Sequence, residues 1–260
     1  MIKNTFNILN GIGVKLEKRL WQTGILDWDN FLSTKQIGFI NPGRKKIYDD
    51  FLKEAGEKLN EKDMIFFAKA IKTREHWRLF RTFRNEAVAL DIETNGLPSN
   101  AGGCVTVVGL YNGFDYISFV RGENLTRQRI EKELSGYKYL ITFFGSGFDM
   151  PFLRESLGIT FAGLHFDLFF GGRMVGLKGG LKKVEEKMGI TRDESIKGFS
   201  GFDAVKLWAQ AQRGSAEALD LLIKYNMYDT VNLFDIAERI YEMLTIRTGI
   251  NLYGYPQYSS

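Results

Sequence analysis

One cysteine, two histidines and four prolines are all that this 260-residue chain holds of those residues, and each shortage closes off a class of protein. A lone thiol, Cys104 in the apolar stretch Cys-Val-Thr-Val-Val, cannot form an intramolecular disulfide. A reducing compartment fits best, with Cys104 a buried core thiol on a strand rather than a nucleophile. His76 and His165 are too few to build a His/Cys zinc site. No apolar run approaches the ~20 residues of a membrane span, and the start Met-Ile-Lys-Asn-Thr-Phe-Asn lacks the apolar core of a secretory signal. The expectation is a cytoplasmic protein with no membrane partner; about protein partners the sequence is silent. Charge of one sign is scarce too, since 35 Lys and Arg against 31 Asp and Glu leave a formal charge of +4. So small a surplus permits a polyanionic partner without arguing for one, because net charge does not locate a patch.

Aromatic residues, by contrast, are plentiful at 14%, with 21 Phe, and they distribute in two styles. Over residues 1–84 the apolar positions Ile8, Leu9, Ile12, Leu16, Leu20 and Trp21 recur every three to four residues, broken by Gly11-Ile12-Gly13. Asp27 is placed to N-cap a short helix through Phe31, and Asn41-Pro42-Gly43 marks a turn before another helix. Helical spacing resumes over 61–84 through Phe66, Phe67, Ala70, Trp77, Phe80 and Phe83, with Trp77 and Phe80 read as core. The character changes at Ala87. Ala-Val-Ala-Leu-Asp-Ile-Glu is a short apolar run closed by turn residues, which predicts a buried strand. Strands over 104–111 and 116–120 follow, joined by the hairpin signal Asn112-Gly113. Next come a polar helix near 126–135, a strand near 138–143, a helix opening at 149–151 and a strand over 164–168. The stretch 181–244 is helix-like with glycine breaks, and 251–260 has no periodicity and is expected to trail along the surface. Strand, hairpin, then alternating helix and strand is the order of an α/β mixed sheet. The chain thus divides into a helical module (1–84), an α/β domain (85–246) and a tail (247–260).

Three carboxylate motifs carry chemistry. In Asp91-Ile92-Glu93, strand alternation puts both acids on one face, where they repel unless compensated. A divalent cation with its preference for hard oxygen ligands would compensate them; a strand end meeting solvent would also tolerate them. Asp149, in Gly147-Phe148-Asp149-Met150-Pro151, precedes a proline-started apolar helix and could serve merely as an N-cap. Tyr225 and Asp229 lie four apart and so share a helix face, where a surface acid beside a packed tyrosine is the plainer reading. Glycines at 171–172 and 176–180 lack the Gly-x-x-x-x-Gly-Lys-Ser/Thr pattern of a phosphate loop and read as a flexible connection. His165 reads as a satisfied strand residue, and Lys178, Lys182 and Lys183 could meet a nucleic-acid backbone, a solvated face being the plainer reading.

Taken in order, Asp-x-Glu on a first strand, Phe-Asp opening a later helix and Tyr-x-x-x-Asp on a late helix resemble the three motifs of the DEDDy branch of the RNase H-like 3′→5′ exonucleases. The sister branch carries a histidine five residues before the last Asp, where this chain has Lys224. Asp-Ile-Glu-Thr-Asn-Gly-Leu, His165-Phe-Asp-Leu, Gly179-Gly-Leu-Lys with Glu185, Asp203-Ala-Val-Lys-Leu-Trp and His76-Trp-Arg-Leu-Phe are similar to the YprB-type RNase H-like family, a likeness running from about Thr5 to Leu244. The resemblance implies a mixed five-stranded RNase H-like sheet flanked by helices and preceded by a small all-α module. It implies hydrolysis of single-stranded DNA or RNA from 3′ ends to nucleoside 5′-monophosphates. Asp91, Glu93, Asp149 and Asp229 would hold two Mg²⁺ or Mn²⁺ ions, and Tyr225 would orient the attacking water, a phenol of pKa about 10 being a poor base at neutral pH. Asp167 is taken as structural support. Gly11-Ile12-Gly13 followed by Lys15 looks like a helix-hairpin-helix, in which Gly11, Gly13 and Lys15 would meet a nucleic-acid backbone; simple helix packing is the competing reading. One position departs from the family, since relatives often carry Asn where this chain has Phe144. The rival reading follows from it: a nucleic-acid-binding scaffold that keeps the fold and has lost catalysis.

Overall fold

The computed structural model of the protein describes residues 1–254. Five strands, β1 (Ala87–Thr94), β2 (Val105–Tyr111), β3 (Tyr116–Val120), β4 (Tyr139–Thr142) and β5 (Leu164–Asp167), form one sheet in the order β3-β2-β1-β4-β5. The β1–β2 and β2–β3 pairs are antiparallel, and β1–β4 and β4–β5 are parallel. The helices in chain order are α1 (Val14–Gln22), α2 (Trp28–Ser33), α3 (Pro42–Asn60), α4 (Met64–Ala70), α5 (Phe80–Phe83), α6 (Arg127–Leu134), α7 (Asp149–Leu157), α8 (Leu168–Met174), α9 (Leu181–Met188), α10 (Gly201–Ala211) and α11 (Ala216–Thr248). The fold is the α/β mixed five-stranded sheet with flanking helices and an N-terminal helical segment that the sequence predicts.

Strand alternation sorts β1 into two cores. Val88, Leu90 and Ile92 pack with Val108, Leu110 and Leu140 under α6 and α7, through Ile130, Leu134, Phe152 and Leu153. Ala87 and Ala89 face the other way, into a cluster with Leu233, Ile236, Ala237 and Ile240 of α11. Asp91 and Glu93 continue that second face, so the period of two aims both acids at the side covered by α11. The same cluster takes in Phe6, Trp21, Trp28, Phe31, Phe67, Trp77 and Phe80, so the helical segment and the sheet share one apolar core.

Local signals explain most element starts. Asp27 accepts from the Asn30 amide at 2.7 Å and Asn41 from that of Gly43 at 2.8 Å, capping α2 and α3. A buried ion network ties the helical segment together. Arg78 Nη2 lies 3.0 Å from Glu17 Oε2, and its Nε donates to Glu75 at 2.8 Å. Glu17 also accepts from the amides of Phe6 and Asn7 at 2.8 and 3.1 Å. Gly11 takes a left-handed φ of +86° and Gly13 is the N-cap of α1, with Lys15 exposed as the second residue of the helix.

Three expectations shift in detail. Cys104 is half-buried and lies ahead of β2 rather than within a strand, because the main chain there turns to meet Asn95, whose side chain accepts from the Cys104 amide at 3.0 Å. The helical pattern over 61–84 breaks into α4, a 3₁₀ stretch (Thr73–Leu79) and α5. The start of the stretch expected to trail along the surface forms part of a 3₁₀ turn (Ile250–Tyr253) anchored by the buried Ile250, with Leu252 exposed, while 255–260 lie outside the described residues. No helix among the described residues is long and apolar enough to cross a membrane.

A candidate active site built from carboxylates

The sheet delivers Asp91 and Glu93 from β1, and two other elements complete the site. The parallel pairing of β4 with β1 covers only Ala87–Ala89, so further along β1 backbone donors on that side need another partner. Asp149 supplies one, its Oδ1 accepting from the Ile92 amide at 3.1 Å. The N-cap position of α7 is Phe148, with no side-chain cap. Asp149 is therefore buried against β1 and does not cap its own helix, the simpler role open from sequence. From the opposite side α11 brings Tyr225, Asn226 and Asp229, all buried.

Ligand oxygens of Asp91, Glu93 and Asp229 lie within 4.8 Å of one another. Asp149 stands apart from that trio but lines the same cavity of about 260 Å³, with Tyr225, Phe143, Phe144 and Phe148. Burial, followed by mutual repulsion among the acids, pushes the Asp91 and Glu93 carboxyls well above the ordinary range. Burial likewise raises Asp149 to about 7. Asp229 is raised by burial, opposed by Arg192. Tyr225 is held as the neutral phenol by burial and then by the charges of Asp229, Glu93 and Asp91, which makes its hydroxyl a hydrogen-bonding group and not a base. Hard anionic oxygens, crowded and carrying more negative charge than their surroundings offset, suit a divalent cation of the Mg²⁺ or Mn²⁺ kind.

Several residues of the site escape sequence reasoning. Asn226 donates through Nδ2 to Asp91 Oδ2 at 2.8 Å and accepts from the Tyr116 hydroxyl at 2.8 Å, fixing the Asp91 carboxylate. Close approach of α11 depends on Gly109, paired with Asp91 across β2: a Cβ there would fall 2.1 Å from Asn226 Oδ1. A glycine in the middle of an apolar strand was the available signal. Arg192, in the loop after α9, makes an ion pair with Asp229 Oδ1, an oxygen with no hydrogen-bond partner among the described residues, and a two-pronged contact with Glu185 at 2.8 Å. Lys182 lies with its Nζ 5.0 Å from the Tyr225 ring centre.

Asp167 has the supporting role expected of it. Its carboxylate accepts from the amides of Phe144, Ser146 and Phe169 at 2.9, 3.0 and 3.1 Å, shaping the loop between β4 and α7. His165 lies on β5 with Nε2 2.8 Å from Thr142 Oγ1, a satisfied strand residue. Phe144 in that loop adopts φ +64°, a left-handed conformation that Asn tolerates far better than Phe. Its ring is held by Phe169 and Phe170, at 4.9 and 6.1 Å between centroids, and is 41% exposed at the cavity. Gly11, Gly13 and Lys15 do not line the carboxylate cavity.

A carboxylate cluster on the first strand of a mixed five-stranded sheet, completed from a long late helix, defines a nuclease-type fold. Residues 88–241 match the family model of the RNase H superfamily; the chain belongs to that superfamily. No curated protein and no solved structure matches.

Proposed function

We propose that the chain is a metal-dependent 3′→5′ exonuclease of the YprB-type DEDDy kind, acting on single-stranded DNA or RNA ends and releasing nucleoside 5′-monophosphates. The observation that carries this reading is the convergence of Asp91, Glu93 and Asp229 oxygens within 4.8 Å in one cavity with Asp149 and Tyr225. Asp91, Glu93, Asp149 and Asp229 would hold Mg²⁺ or Mn²⁺, two ions in the family's pattern. When bound, the metal supplies a water of lowered pKa and charge stabilisation at the phosphate. Asn226 keeps Asp91 oriented, and Tyr225, a neutral phenol beside Asp229, hydrogen-bonds the attacking water and aims it. Lys182 adds positive charge for the substrate's phosphate. The module 1–84 presents the Gly11/Gly13 turn and Lys15 to a nucleic-acid backbone, in a sequence-independent and salt-sensitive contact.

The experiment is degradation of 5′-labelled single-stranded DNA and RNA with Mn²⁺, Mg²⁺ or EDTA, beside an Asp91→Ala/Glu93→Ala control. The expected outcome is a metal-dependent ladder of shortened products, reduced by a factor of ~1000 or more in the double variant, and the faster substrate identifies the preferred sugar. A second reading, a binding scaffold, is favoured by the Phe144 ring at the cavity. Intact substrate at high enzyme with both metals, with binding retained, would establish the scaffold instead.

A further inference from the structure

We propose that Arg192 is a resident cation of the carboxylate site, competing with divalent metal for Asp229 and so setting how tightly the site takes metal up; this rests on the reading of the cluster as a metal site. Arg192 Nη2 pairs with Asp229 Oδ1, an atom of one of the three carboxylates that converge within 4.8 Å. The contact is one of charge and not of hydrogen bonding, since Asp229 Oδ1 has no hydrogen-bond partner among the described residues, and the fixed positive charge beside that oxygen repels an incoming cation.

The arginine is built in rather than drawn in from solvent. Its side chain is 8% exposed, and it lies 2.7 Å from Glu185, which is itself 3% exposed. Glu185 is in turn held by Asn232 Nδ2 at 2.8 Å, one turn beyond Asp229 on α11. This anchor keeps Arg192 in place whether or not it holds Asp229. A contrast with Arg78 separates a competitor from a fastener. All three nitrogens of the Arg78 guanidinium are hydrogen-bonded, to Glu75, Thr5 and Glu17. Arg192, by comparison, leaves Nη1 buried with no hydrogen-bond partner. Its fit to Asp229 is therefore incomplete on the side where a structural arginine would be satisfied. Contact with a ring face at Tyr225, 5.7 Å from its centre, gives the guanidinium a second place to rest.

The test is calorimetric addition of Mn²⁺ to metal-stripped protein without nucleic acid, for the intact chain and for Arg192→Met, Arg192→Gln and Arg192→Lys, each first checked for a cooperative melt. Removing a unit charge a few ångströms from a dication at a partly buried site predicts Mn²⁺ binding at least about tenfold tighter in the Met and Gln variants. The Lys variant, which keeps the charge, stays within about threefold of the intact chain on the same argument. Unchanged or weaker Mn²⁺ binding in folded Met and Gln variants overturns the proposal, as does an absence of Mn²⁺ binding in every protein. Failure of the intact chain to degrade nucleic acid while Mn²⁺ binding tightens in the variants would sink the exonuclease reading and leave the role of Arg192 standing.

Discussion

In the helical segment the Arg78 guanidinium sits between Glu17 and Glu75, with every nitrogen bonded and Glu17 also taking two backbone amides. At the sheet, Glu93, Asp149 and Asp229 are buried and Asp91 half-buried, yet among the described residues Arg192 is paired only with Asp229 of these and is shared with Glu185. Both clusters take charge out of water, at a cost of several kcal/mol per ion. In the first Arg78 and two backbone amides oppose that cost, although burial still holds the Glu17 carboxyl above its ordinary range. In the second it is left standing, which is how a fold keeps a place for a ligand of opposite charge. Burial alone therefore does not separate fastener from active site; the balance of charge does.

The most damaging way to break the comparison is to unbalance the balanced cluster. Arg78→Met strands Glu17 at 1% side-chain exposure, and should cost about 3–5 kcal/mol in urea unfolding. A loss under ~1 kcal/mol would mean the network holds nothing together. The opposite sign is expected at the sheet. Asp91→Asn keeps an acceptor for Asn226 and removes one of the mutually repelling charges, so the metal-free protein should gain on the order of 1 kcal/mol. The same variant should lose most of the rise in Tm that Mn²⁺ gives the intact chain. A large destabilisation by Asp91→Asn without metal would mark the acids as structural.

Acidity sharpens the contrast with the smallest effect. Burial raises Asp149 to about 7 from the usual 3.8. Between those values the folded, metal-free protein holds a proton that the unfolded chain releases, so this contribution is full at low pH and is lost as pH rises through about 7. His76 runs the other way. Burial lowers it to about 4 from 6.5, and its neutral ring accepts the His165 amide at Nδ1 (3.1 Å). Its contribution is present above 6.5 and is lost as pH falls toward 4. Urea unfolding in EDTA should show Asp149→Asn reducing the loss on the alkaline side, to which the raised Asp91 and Glu93 carboxyls also contribute, and His76→Gln reducing the loss on the acid side. Identical pH profiles for both variants and the intact chain would refute the assignment.

Much of this was legible in the residues. A short apolar run closed by turn residues marked the first strand, Asn112-Gly113 the hairpin, Asp27 and Asn41 the helix starts, and the three carboxylate motifs named the four acids and Tyr225 that line the cavity. Those signals are local, each spanning a few residues whose spacing maps directly onto strand or helix geometry. Arg192 and Asn226 carried no such signal, and Gly109 only that of a glycine inside an apolar strand, because their roles exist only between elements far apart in the chain. Asn226 matters since α11 crosses β1 at Asp91, 135 residues away. Gly109 matters since any Cβ would hold the two apart. Even Asp149 has the local spacing of a cap, and only the early end of the β4 pairing leaves the Ile92 amide to it. The sequence by itself determined the elements, their order and the chemistry of the acids, since propensity and periodicity act along the chain. Only the tertiary structure decided which charges are compensated, because that depends on distance and burial between segments, and Coulomb energy is set by those.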